Sequence, residues 1–226
     1  MKLKNAALVF FLIIFVTKSI SQQATDLIKN IEKKVAQGET TISKILSDSS
    51  LLFLHSLTSF REVIQRNAKA EKVKIYSDNE PGTRITVQGV VLDESGKPQV
   101  DKLVYVYQTS STGWYSDTAA HILINEGDRR HARLFGYFKT DSFGKFEFHT
   151  IKPKGYPNST LPAHIHIEIS LKDDQNFISE LLFDDDPRLA GEIRTSSIKQ
   201  KFIITKNNGT DNDPVYSYVI NTKLNN

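Results

Sequence analysis

Hydrophobic patterning divides the chain into three stretches. An apolar run extends from Ala6 to Val16, with Lys2 and Lys4 before it and small and polar residues after it. Between about Ala24 and Ala70 apolar residues recur at helical spacing: Leu27, Ile28, Ile31 and Val35, then Ile42, Ile45 and Leu46, then Leu57, Phe60, Val63 and Ile64. Gly38 and the Ser and Thr residues at 41, 43, 47, 49 and 50 supply breaks and caps, so two or three helices are predicted. From Lys72 the texture changes to short runs with alternating polarity. Residues 83–92, 103–108, 134–140, 145–150, 163–171, 177–183, 201–205 and 216–220 read as strands. Asp93-Glu94-Ser95-Gly96 and Asp141-Ser142-Phe143-Gly144 are turn signals between them. This pattern predicts a mainly β fold, a β-sandwich of seven to eight strands preceded by N-terminal helices. The expected organisation is a leader over 1–21, a helical segment over 22–71 and the sandwich over 72–222. The helices are expected to pack on the sandwich, with a homodimer interface as the sharper alternative.

The order of the first stretch, two lysines, a short apolar core and then Ser19-Ile20-Ser21, is that of a secretory signal peptide cleaved after Ser21. Its apolar core is about half of the ~20 residues that span a bilayer. A secreted protein, periplasmic or extracellular, with no membrane span after cleavage is therefore expected; an uncleaved anchor is the alternative. The formal charge of +3 comes from this leader: without Lys2, Lys4 and Lys18, 26 basic residues face 26 acidic ones. No basic cluster suggests a nucleic-acid partner. The chain has no cysteine, which excludes disulfides and thiolate ligands, so any metal must be held by oxygen and nitrogen. Asn158 and Asn208 open glycosylation sequons.

The strongest local signal is His164-Ile165-His166 within the run 163–171. Residues i and i+2 of a strand share a face, so both imidazoles project together, as a Zn, Cu, Fe or Ni site needs. Glu168 continues that face and is the candidate third ligand of a two-histidine-one-carboxylate site. Asp173 and Asp174 lie in a nearby polar stretch, and Asp184, Asp185 and Asp186 read as a solvated loop. A second pattern competes. Tyr115 in Gly113-Trp114-Tyr115 and Tyr156 in Gly155-Tyr156-Pro157 each stand in a loop after a strand, where scaffolds present functional side chains. Either tyrosine is equally compatible with simple core cover.

Taken together, these stretches resemble the intradiol ring-cleavage dioxygenases, the family of the protocatechuate and catechol dioxygenases. The resemblance runs from about Phe60 to Phe183. It includes Phe60-Arg61-Glu62-Val63-Ile64, Gly82-Thr83-Arg84-Ile85-Thr86-Val87-Gln88-Gly89, Gly113-Trp114-Tyr115, Thr140-Asp141-Ser142-Phe143-Gly144-Lys145-Phe146, Gly155-Tyr156-Pro157 and Pro162-Ala163-His164-Ile165-His166, in that order. It implies a β-sandwich holding one Fe(III) on Tyr115, Tyr156, His164 and His166. It also implies cleavage of a catechol between its hydroxyl-bearing carbons, with both atoms of O2 entering a muconate-type diacid. Tyr115 and His166 are then the retained ligands, and Tyr156 is the one a chelating catechol displaces. A free tyrosine has a pKa near 10, so a phenolate at neutral pH needs a strong adjacent cation.

Three positions depart from the family pattern. Leu161 stands where the family has Arg, Ser179-Glu180 where it has Thr-Gln, and the Tyr156–His164 gap is short. Arg129, Arg130 or Arg133 could return the missing charge from another direction, the alternative being a solvated basic loop. Two further readings stay open: a non-catalytic module that binds iron or catechol-type compounds, and a Zn or Cu site on the two histidines with Glu168.

Overall fold

A computed structural model describes residues 21–116, 132–171 and 176–222. The predicted leader lies outside these residues apart from Ser21, as do Arg129, Arg130, Asp173 and Asp174. Residues 21–36 are helical (α1), and Gly38, at φ 72°, follows its end. Helix α2 (Ile42–Ser47) is capped by Thr41, whose hydroxyl accepts from the Lys44 N–H at 3.2 Å. A 3-10 turn (Ser49–Leu54) and α3 (Thr58–Arg66) follow. Ile28, Ile31, Ile42, Leu46, Phe60 and Ile64 join the same apolar core as the strands, so the helices pack on the sandwich. Among the described residues no helix is long and apolar enough to cross a membrane.

Among the described residues nine strands form two mixed sheets: β1 (Val73–Lys74), β2 (Arg84–Leu92), β3 (Leu103–Gln108), β4 (Leu134–Lys139), β5 (Lys145–Ile151), β6 (His164–Ser170), β7 (Asn176–Phe183), β8 (Ile203–Thr205) and β9 (Val215–Asn221). One sheet has the order β1-β5-β2-β9 and the other β4-β3-β6-β7-β8. Their inner faces meet through aromatic rings. Phe138 stacks on Phe148 with centroids 5.4 Å apart, and Phe183 meets Tyr216 edge-on at 4.8 Å.

The predicted runs all contain strands, shifted by a residue or two at their ends. The strand beyond the expected seven or eight is β1, two residues long and too short to show alternation. Helix α4 (Gly191–Lys199) is also absent from the sequence reading, because it buries only Ser197 and offers no apolar stripe. Its end explains why β8 starts later than predicted. Lys201 takes a left-handed φ of 60°, and Phe202 N–H returns to Ser197 O at 3.0 Å.

Candidate metal centre

Strand β6 lies in the middle of the five-stranded sheet, between β3 and β7. Ile165, Ile167 and Ile169 point into the core, which leaves His164 and His166 together on the other face. Cross-strand pairing sets His166 between Tyr107 of β3 and Glu180 of β7.

The two tyrosines reach this face from loops that touch through glycine. Gly113 has φ 91°, and a Cβ there would sit 2.6 Å from Gly155 O. A Cβ on Gly155 would meet Leu161 O at 2.6 Å. Only glycine allows these backbones to approach so closely. Thr109 Oγ1 donates to Lys154 O at 2.7 Å and further ties the loops. Arg133 N–H donates to Tyr115 O at 2.7 Å. The Arg133 guanidinium is engaged by Glu80 in a buried ion pair, with Nη2 to Oε1 at 2.9 Å. Arg133 therefore braces the Tyr115 loop and does not offer a free charge to a ligand, contrary to the role its position suggested.

Four polar atoms converge. Tyr115 Oη lies 2.5 Å from Tyr156 Oη and 2.8 Å from His166 Nε2, and Tyr156 Oη lies 3.2 Å from His164 Nε2. Tyr115 is 2% exposed and His164 6%, whereas Tyr156 and His166 are partly open. His164 Nδ1 lies 2.8 Å from Pro162 O. A carbonyl only accepts, so Nδ1 carries the proton and Nε2 presents its lone pair inward, as a metal-binding imidazole needs. Burial pushes both phenols up from the usual tyrosine value, and for Tyr115 the adjacent Tyr156 adds to the effect. Two phenolates cannot form here without a cation to offset them. Two phenol oxygens and two imidazole nitrogens are a donor set that fits a small, hard, highly charged ion such as Fe(III).

The nearby carboxylate is Glu180 and not Glu168. One nitrogen from each imidazole and one Glu180 oxygen lie within 4.8 Å of one another, and Glu180 Oε1 is 3.8 Å from His166 Nδ1. Glu168 shares the histidine face but lies one strand repeat, roughly 6.8 Å, farther along. It accepts from Asn176 Nδ2 at 2.8 Å. The acid run 184–186 is not merely solvated. Asp186 Oδ2 accepts from the Ala163 N–H at 2.7 Å and pins the start of β6, while Asp184 pairs with Arg194 at 2.6 Å. The dense acidic run at 184–186 was the available signal, but nothing in it indicates which backbone group it meets.

The dioxygenase family model matches residues 60–225. The protocatechuate 3,4-dioxygenase beta chain of Burkholderia cepacia is 37% identical over 123 residues, 48% of each chain. The chlorocatechol 1,2-dioxygenase of Rhodococcus opacus is 29% identical over 146 residues, 57% of this chain and 54% of that one. The chain thus spans about half the length of the curated relatives it matches. Among solved structures, catechol 1,2-dioxygenase from Pseudomonas arvilla C-1 shares the fold with a TM-score of 0.53 at 19% identity, over 68% of this chain and 56% of that one. The 3-chlorocatechol 1,2-dioxygenase from Rhodococcus opacus 1CP does so with a TM-score of 0.52 at 17% identity, over 90% and 97%. With the family model running from within α3 past the end of β9, this chain belongs to the intradiol ring-cleavage dioxygenase family.

Proposed function

We propose that this chain is an iron(III) intradiol dioxygenase that opens a catechol-type ring with O2 to give a muconate-type diacid. The observation that carries the reading is the convergence of Tyr115 Oη, Tyr156 Oη, His164 Nε2 and His166 Nε2. These four would hold one Fe(III). When bound, the ion supplies Lewis acidity, which stabilises phenolate and catecholate oxygens and draws electron density from the ring.

The chain's own residues divide the remaining work. Tyr115 is buried and braced through its backbone by Arg133, which suits a ligand that stays in place. Tyr156 is the more open phenol, which suits a group that yields to substrate and takes up one of its hydroxyl protons. His164 is held by Pro162 O, and His166 by the ring of Tyr107 stacked on it. The apolar leader supports export from the cytoplasm.

The test is to purify residues 22–226 and measure iron content, visible absorbance and O2 uptake with a panel of catechols. A red-brown protein whose band moves with catechol, and which consumes one O2 per ring opened, is expected. A colourless zinc protein would overturn the reading. Leu161 and Glu180 favour one competing reading, a secreted module that binds iron or catechols without turnover. A coloured, catechol-responsive protein that consumes no O2 would establish it.

A further inference from the structure

Beside His164 a recess of about 120 Å³ opens between β6, β7 and α4. Its walls include Leu161, Ile193 and Phe202, with Glu180, Gln200, Ser196 and Ser197 as polar members. We propose that this recess receives the ring substituent of the bound catechol and that Glu180 makes it select neutral or cationic substituents over anionic ones. The inference rests on the reading of the four-donor cluster as a catechol site.

Size is the first argument. A dry cavity of roughly 150 Å³ takes a benzene ring. A recess of about 120 Å³ that His164 itself lines is therefore suited to a short side group carried on a ring held at the donor cluster.

Charge is the second. Among the described residues that line the recess, Glu180 is the only acid and there is no Lys or Arg. Its oxygen lies 3.8 Å from His166 Nδ1, the imidazole nitrogen turned away from Tyr115, and its charge acts on both phenols, so the carboxylate borders both the ring position and the recess. Leu161, 49% exposed at the rim, brings no charge of its own. A carboxylate substituent would enter a largely apolar wall against a like charge. Across a half-screened distance of several ångströms that repulsion weakens binding on the order of 10- to 100-fold. A methyl group gains from the apolar wall, and an ammonium gains from Glu180 directly.

The test is anaerobic calorimetric titration of the iron-loaded full chain, so that binding is read without turnover. The ligands are 4-methylcatechol, 4-(2-aminoethyl)catechol and 3,4-dihydroxybenzoate, each normalised to unsubstituted catechol. The native chain is expected to bind the benzoate at least tenfold more weakly than the other two. Glu180→Gln is expected to shrink that ratio to about threefold or less. A native ratio near one, or a preference for the benzoate, overturns the proposal without any variant. So does a Glu180→Gln chain in which all ligands shift by one common factor, since Glu180 would then act through His166 alone. O2 uptake is measured in parallel. Charge preference without uptake would end the dioxygenase reading and leave this one standing. Uptake without charge preference does the reverse, and failure to bind any catechol overturns both.

Discussion

The ring of Tyr107 lies parallel to that of His166, with centroids 4.3 Å apart and 9° between planes. The two are direct partners across β3 and β6, so strand register itself delivers the stack. The stack fixes the imidazole with Nε2 toward Tyr115 Oη. Such ring pairs contribute about 0.5–1.5 kcal/mol. Tyr107→Leu is expected to keep the strand but weaken metal retention by up to tenfold, read as iron left after dialysis against a chelator.

Gly113 is the point where both tyrosine loops meet. Ala there would have to hold φ at 91° with its Cβ 2.6 Å from Gly155 O. Strain of about 1–3 kcal/mol is expected. Gly113→Ala should therefore lower the melting temperature, and should lower iron loading further than Gly38→Ala does. Gly38 also has a positive φ, but nothing lies near its Cβ position. Equal iron loading in the two variants would refute the link.

The buried Glu80–Arg133 pair braces the same loop. Glu80→Gln removes the carboxylate charge from this buried ion pair, and breaking a buried pair costs about 3–5 kcal/mol. Urea unfolding should reveal a loss of that order. A change under 1 kcal/mol would mean that the pair is effectively solvated.

His55 is buried against Phe60, and burial lowers its pKa from 6.5 to about 4, with Arg61 and Arg133 also opposing its charge. Below about pH 6.5 the unfolded chain takes up a proton that the folded chain refuses, so stability falls as pH drops from about 6.5 to about 4. Below that both states are protonated and the loss stops growing. The span corresponds to about 3 kcal/mol. Unfolding free energies at pH 7 and pH 4 should differ less in His55→Gln than in the native chain by about this amount.

Both phenols of the donor cluster are pushed above the ordinary tyrosine range by burial, so the metal-free chain carries both protons at neutral pH. Loading Fe(III) on them must release those protons, and iron affinity should rise with pH. Proton release on iron titration in weak buffer measures it. Tyr156→Phe should release one proton fewer than the native chain, and an unchanged count would exclude Tyr156 from the ligand set.

Much of the site is local and therefore legible. Alternation over 163–171 makes a strand, and strand geometry alone puts His164 and His166 on one face. Glycines before Trp114 and Tyr156 mark loops that present aromatic side chains. Helical periodicity over 24–70 predicts the packed helices, because amphipathic spacing is a property of neighbouring residues. Tertiary structure decided the rest. Glu180 replaces Glu168 at the cluster because β7 pairs with β6 in one particular register, and no local pattern encodes which residue stands opposite another. Arg133 is bound to a glutamate 53 positions away, Asp186 is hydrogen-bonded to the start of a strand 23 positions back, and α4 closes the recess beside His164. The sequence by itself determined the strand, its two histidines and the two tyrosine loops. The family resemblance marks Glu180 as a departure near the site, but only the pairing of distant segments, driven by burial of a shared core, decided that it stands opposite His166.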